Sequence, residues 1–175
     1  LIRMSDKGRK MHKSMDELSR ELGACLQRSG WRIATAESCT GGGVAAAITA
    51  IAGSSAWFEY GVVSYANIAK KKLLGVSAQT LNIEGAVSEA VVVEMARGAL
   101  ALSGADLALA ISGIAGPGGA TPGKPVGTVW FAWATAAGDL KTDVQLIDGD
   151  REAVQHGAVI YALEGALAMC KKNTV

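Results

Sequence analysis

The chain has 175 residues, half of them apolar and 19% charged, and its 17 Lys and Arg against 16 Asp and Glu leave a formal net charge of +1. That length can bury one core without a metal or disulfide, and that composition excludes both a disordered chain and a strongly basic nucleic-acid surface. Three cysteines, Cys25, Cys39 and Cys170, are odd in number and form no CxxC pair, so a reducing cytoplasm fits best. Residues 1–13 are basic but have no apolar stretch, so they read as a disordered leader and not as a secretory signal. No uncharged apolar run of about 18 residues marks a membrane span.

Ser14-Met15-Asp16-Glu17 has the form of a capping box, and Leu18, Leu22, Cys25 and Leu26 follow at helical spacing until Gly30. Trp31 to Thr35 reads as a buried strand. It leads into Glu37-Ser38-Cys39-Thr40-Gly41-Gly42-Gly43 and the Ala-rich helix Val44 to Ile51. Tyr60 to Tyr65 is a second strand, Ile68 to Leu74 a short helix closed by Gly75, and Ser88 opens a longer helix whose apolar stripe is Val92, Met95, Ala96 and Leu100. Leu107 to Ile111 is apolar throughout and reads as a central strand. The Gly- and Pro-rich segment Ser112 to Pro125 follows it, then a hairpin of Val126 to Thr135 and Leu140 to Ile147, then a helix from about Asp150. This order predicts one domain, residues 14–175, folded as a three-layer α/β/α sandwich on a mixed, mostly parallel five-stranded sheet.

Three loops follow the carboxyl ends of the first three strands, where open α/β sheets bind ligands. In the first, Ser38 lies between strand and helix, and the N–H groups of Thr40, Gly41 and Gly42 are candidate oxyanion donors. The alternative is that Ser38 or Thr40 caps the helix, which is the commoner use of Ser and Thr there. Cys39 is a nucleophile only if a base or cation makes its thiolate. Histidine is scarce, and His156 on the last helix is its one usable copy, so a serine nucleophile points to a lysine base. Lys70, Lys71 and Lys72 are candidates for that base, against the alternative of a solvated charge run. The segment Gly118 to Pro125 approaches a phosphate loop but ends in Pro125, which has neither the hydroxyl for Mg²⁺ nor an N–H, so an NTPase is not expected. No ligand spacing supports a metal, and none is expected.

Several of these segments resemble the CinA C-terminal domain family, which includes stand-alone nicotinamide-nucleotide amidohydrolases. The matching stretches are Thr35 to Gly42, Tyr65-Ala66-Asn67 with Lys70 and Leu73 to Val76, Gly85 to Glu89, Ser112 to Gly119, Lys124 to Thr128, and Gly149-Asp150-Arg151. Ala120 stands where the family commonly has glycine, and the molybdopterin-binding-like N-terminal half of the longer members has no counterpart here. The resemblance implies hydrolysis of nicotinamide mononucleotide to nicotinate mononucleotide and ammonia, without a cofactor, by Ser38, Tyr65 and Lys70. It implies substrate contacts from Thr40, Gly41, Gly42, Asn67, Ser112, Gly113, Gly116 and Arg151, with Arg151 suited to a phosphate. The expected partner is a small nucleotide in the cytoplasm, with no nucleic acid and no membrane, and a homo-oligomer is compatible with the sequence. The rival reading is a non-catalytic nucleotide-binding module with a competence- or damage-linked regulatory role.

Overall fold

The computed structural model describes residues 2–3 and 13–173. Most of the expected leader lies outside the described residues, except that Ile2–Arg3 forms a two-residue strand, β1. Five longer strands follow: β2 (Ile33–Glu37), β3 (Phe58–Val63), β4 (Leu107–Gly113), β5 (Thr128–Thr135) and β6 (Leu140–Leu146). The helices are α1 (Met15–Ser29), α2 (Gly43–Thr49), α3 (Asn67–Leu74), α4 (Ala78–Glu84), α5 (Glu89–Ser103) and α6 (Arg151–Lys172).

The sheet order is β1-β6-β5-β4-β2-β3. β2 pairs in parallel with both β3 and β4, and β5 runs antiparallel to its neighbours β4 and β6. The five strands expected from the sequence are present in a mixed sheet, and β1 extends it by pairing in parallel with β6. The helix α4 was not expected; it is a single short element capped by Ser77, whose Oγ accepts from the N–H groups of Gln79 and Thr80.

Two apolar layers enclose the sheet because its central strands alternate between them. Leu107, Leu109 and Ile111 of β4 enter a core with α1, α2 and α6, while Ala108 and Ala110 face α5. Each large apolar side chain so buried contributes about 1.5–3 kcal/mol. The helix α1 starts where its capping box is complete, with Ser14 Oγ accepting from Glu17 N–H and Glu17 Oε2 from Ser14 N–H, and ends at Gly30 in the left-handed conformation.

The helix α6 lies close against the sheet. A Cβ at Gly165 would fall 2.1 Å from the Trp133 ring, and Trp133 Nε1 donates to the Ala162 carbonyl at 2.9 Å. By length and composition α6 could cross a membrane, but 56% of its most apolar window is buried inside the protein, as suits a core helix. Cys25 of α1 and Cys170 of α6 are joined in a disulfide, with their Cα atoms 6.3 Å apart. The sequence, with no CxxC pair, did not point to this pairing: the partners are 145 residues apart, and the packing of α1 on α6 brings them together.

Candidate active site

The last paired residue of β2, Glu37, is opposite Val63 of β3 and Ile111 of β4. The next residue of each strand is a serine, so Ser38, Ser64 and Ser112 form a row across the carboxyl ends of three parallel strands. Ser38 N–H donates to Ile111 O and Ser64 N–H to Glu37 O, which carries the ladder one step beyond the strands.

After this row the β2 chain turns sharply, with Gly41 at φ +62° and Gly42 at φ +98°, a region costly for other residues. Inside the turn lies the Glu37 carboxylate, 1% exposed. Its Oε2 accepts from Thr40 Oγ1 at 2.7 Å, Gly42 N–H at 3.1 Å and Val44 N–H at 3.0 Å, and its Oε1 from Ala45 N–H at 2.9 Å. Glu37 therefore caps α2, a role that sequence reasoning assigned to Ser38 or Thr40. Its signal was a lone carboxylate ending an otherwise uncharged strand. The same bonds correct the oxyanion assignment. Gly42 N–H is taken by Glu37, Gly41 N–H by Ser38 O, and Thr40 N–H meets the Cys39 thiol, so none of the three predicted donors is left free for an oxyanion.

Relieved of capping, Ser38 Oγ faces Lys70. Lys70 is 1% exposed, and its Nζ donates to Ser38 Oγ at 2.9 Å, Ser64 O at 2.7 Å and Tyr65 O at 3.3 Å. Burial lowers its pKa below the ordinary lysine value. The choice among three lysines is made by the face of α3, since Lys70 and Leu74 are its buried residues while Lys71 and Lys72 are exposed. Cys39 is 5% exposed, and burial pushes its thiol up to about 12. It is a neutral thiol at ordinary pH and a poor nucleophile.

A cavity of about 250 Å³ opens beside this pair, with Asn67, Ser112, Gly113, Gly116 and Arg151 on its walls. Ser112 Oγ donates to Ala86 O at 2.7 Å and so ties the segment before α5 to β4. Arg151, the first residue of α6, bridges the mouth: its Nη1 donates to Gly116 O at 2.9 Å and its Nη2 to Tyr65 Oη at 2.7 Å. Tyr65, 57% exposed, thus stands at the rim with its hydroxyl on Arg151. Ala86, Val87, Ile114 and Ala115 give the cavity apolar walls. Thr40 and Gly41 belong to the turn and are not on the cavity wall, and Gly42 is inside the Glu37 cap. His156 is exposed on α6, beside Asp150 and Glu152 and away from Ser38. Among the described residues no cluster of His, Cys, Asp or Glu is arranged to hold a metal ion.

The CinA C-terminal domain family matches residues 15–170. The chain is 55% identical over 161 residues to the nicotinamide-nucleotide amidohydrolase PncC of Enterobacter agglomerans, covering 92% of this chain and 98% of that protein. It is 54% identical over 158 residues to PncC of Escherichia coli strain K12, covering 90% and 96%. Among solved structures, the competence damage-inducible protein A of Klebsiella pneumoniae superposes with a TM-score of 0.86 at 48% identity, over 91% of this chain and 97% of that one. The family model over residues 15–170, the identity over nearly the whole length and the shared fold place this chain in the CinA C-terminal domain family.

Proposed function

We propose that the chain is an amidohydrolase that removes ammonia from nicotinamide mononucleotide through an acyl-enzyme on Ser38. The observation that carries this reading is the environment of Lys70 Nζ. Two backbone carbonyls take two of its N–H bonds, so the remaining tetrahedral direction points at Ser38 Oγ. When Lys70 is neutral that direction is a lone pair, and the pair is a nucleophile with its base.

Ser38 Oγ gives its proton to Lys70 Nζ and attacks the carboxamide carbon, and a backbone N–H of the cavity wall holds the oxyanion. An oxyanion donor of this kind contributes about 3–4 kcal/mol to the transition state. As the C–N bond breaks, the nitrogen takes a proton and leaves as ammonia. Lys70 supplies that proton, and Tyr65, whose oxygen accepts from Arg151, keeps its own O–H available to assist. Water then attacks the acyl carbon, giving a proton to Lys70, which returns it to Ser38 Oγ as the acyl bond breaks and the acid product leaves. Apolar walls suit a pyridine ring, and Arg151 at the rim suits a phosphate. Such a phosphorylated substrate does not cross a bilayer unaided, which favours the cytoplasm as the place of action. Neither nucleic acid nor membrane enters this reading, and self-association along the β3 edge, where Tyr60 and Val63 are exposed, is compatible with it.

The experiment is ammonia release from nicotinamide mononucleotide by the purified protein and by Ser38→Ala. Release by the wild type and its loss in the variant are expected. Nucleotide binding without release by the wild type would favour the non-catalytic module instead.

A further inference from the structure

The strand β4 carries its backbone groups alternately to its two neighbours. Leu107 N–H donates to Arg32 O and Ile111 O accepts from Ser38 N–H, both on the β2 side, whereas Ile114 N–H donates to Thr128 O on the β5 side. Gly113, two residues beyond Ile111, therefore turns its N–H toward β2. Carried one step further, the parallel ladder would bring that N–H to Ser38 O. The chain of β2 has already left the sheet there. Ser38 O accepts from Gly41 N–H, and the next carbonyl, Cys39 O, is drawn toward α6, where Gln155 Nε2 donates to it at 2.8 Å. Gly113 N–H is left without a partner among the described residues, in the plane of the sheet beside Ser38.

Backbone N–H groups in a sheet are nearly always paired, so one left open on a cavity wall marks where an acceptor arrives. Gly113 is that wall: it and Ser38 both line the cavity, and along β4 it is the first residue that is not buried. Nearby amides of the same wall are occupied, Ser38 N–H by Ile111 O, Lys70 N–H by Ala66 O and Ile114 N–H by Thr128 O. A Cβ at Gly113 would fall 2.8 Å from Val129 Cγ2 and 2.9 Å from Thr128 O, so only glycine lets the end of β4 close on β5 with this amide facing Ser38.

We infer that Gly113 N–H is the oxyanion donor of the site, a role that rests on the acyl-enzyme reading above. As the bond from Ser38 Oγ to the carboxamide carbon forms, the serine proton passes to Lys70 Nζ and the carbonyl electron pair moves onto the oxygen that Gly113 N–H meets. The pair returns to the carbonyl when the C–N bond breaks and ammonia leaves. Full negative charge is present only in between, so loss of this donor lowers kcat and leaves KM nearly unchanged.

The test replaces Gly113 by glycolic acid during translation, which exchanges its N–H for an ester oxygen and leaves every side chain in place. Kinetics with nicotinamide mononucleotide and thermal melting are measured on that protein, beside one in which Ile114 is replaced by its hydroxy acid. Expected for the Gly113 ester is a fall in kcat of roughly 100- to 1000-fold at nearly constant KM. Its melting temperature should stay above that of the Ile114 ester, which loses the bond to Thr128 O. A second measurement keeps the native chain. Pyridine-3-boronic acid offers Ser38 Oγ a trigonal boron, and in the tetrahedral adduct the amide proton resonance of Gly113 is expected to move downfield, with no such movement in Ser38→Ala. A wild-type kcat in the Gly113 ester, or an adduct on Ser38 that leaves the Gly113 resonance in place, overturns the inference. Ser38→Ala also separates the two levels. An inactive Ser38→Ala beside a fully active Gly113 ester rejects the role of Gly113 alone, whereas an active Ser38→Ala rejects the acyl-enzyme reading on which it rests.

Discussion

Lys70 Nζ lies 2.9 Å from Ser38 Oγ at the end of a side chain that is 1% exposed, with two backbone carbonyls as its other partners. A lysine in that position has no carboxylate to hold its proton. Burial alone penalises the charged form, and the same geometry that lowers the pKa aims the nitrogen at the serine.

The pH dependence of kcat follows from this. A protonated Lys70 cannot accept from Ser38, so activity is low in acid and rises as pH passes through the lowered pKa, by about tenfold per unit below it. The midpoint is expected below the ~10.4 of an ordinary lysine. Lys70→Met is expected to lose at least about 10³-fold in kcat while Lys71→Met and Lys72→Met stay near wild type. Equal losses from all three, in a pH-rate series on each variant, would reduce the role of Lys70 to general charge.

Cys39 is expected to be dispensable as a nucleophile, since its thiol is held neutral by burial with a pKa pushed up to about 12. Cys39→Ser keeps the carbonyl that Gln155 holds and should retain activity within about tenfold, the residual loss reflecting the burial of a more polar group. Thiol-directed alkylating reagents should inactivate the native protein slowly. Rapid inactivation at pH 7 would contradict the burial argument.

Glu37→Gln puts an NH₂ where several donors converge. Thr40 Oγ1 and the N–H groups of Gly42, Val44 and Ala45 all point at the native carboxylate, so one or more of them loses its acceptor. With hydrogen bonds to charged groups at roughly 1.5–3 kcal/mol each, the variant is expected to be destabilised by about 3 kcal/mol in denaturant unfolding. Activity should fall with it, because the turn that carries Ser38 is folded around this group. A variant as stable as the wild type would mean that the cap is supplied elsewhere.

Arg151 offers its guanidinium to the substrate's far end while bracing Gly116 and Tyr65. Arg151→Ala is expected to cut kcat/KM for nicotinamide mononucleotide by roughly 10- to 100-fold, in line with a charged contact of about 1.5–3 kcal/mol, and to leave the slow rate on nicotinamide riboside almost unchanged. Parallel losses on the two substrates would assign Arg151 to bracing alone.

Elements held by local chemistry were legible in the sequence. The Ser14 capping box, the Gly30 and Gly75 stops and the continuous burial of β4 depend on residues within a few positions of one another, and each stands where the pattern placed it. The strand expected over Trp31 to Thr35 begins two residues later because its edge is set by pairing with β3 and β4, not by its own pattern. The helix α4 escaped because seven residues between Gly75 and Gly85 carry too short a period to register. Around the site, Ser38 and the lysine run could be picked out, yet the selection of Lys70 needed the resemblance to the family, and the structure explains it through the buried face of α3. Glu37, Ser64 and Gln155 were missed because what they do depends on a carboxylate folded under its own turn, a carbonyl, and a contact over 116 residues of chain.

The most direct measurement of the central claim is the mass of the protein after mixing with nicotinamide mononucleotide and rapid quenching in acid. The wild type is expected to carry one nicotinoyl-nucleotide acyl group on the peptide containing Ser38 while ammonia appears in a burst, and Ser38→Ala should show neither. Turnover with no covalent species on that peptide, undiminished in Ser38→Ala, would contradict the account.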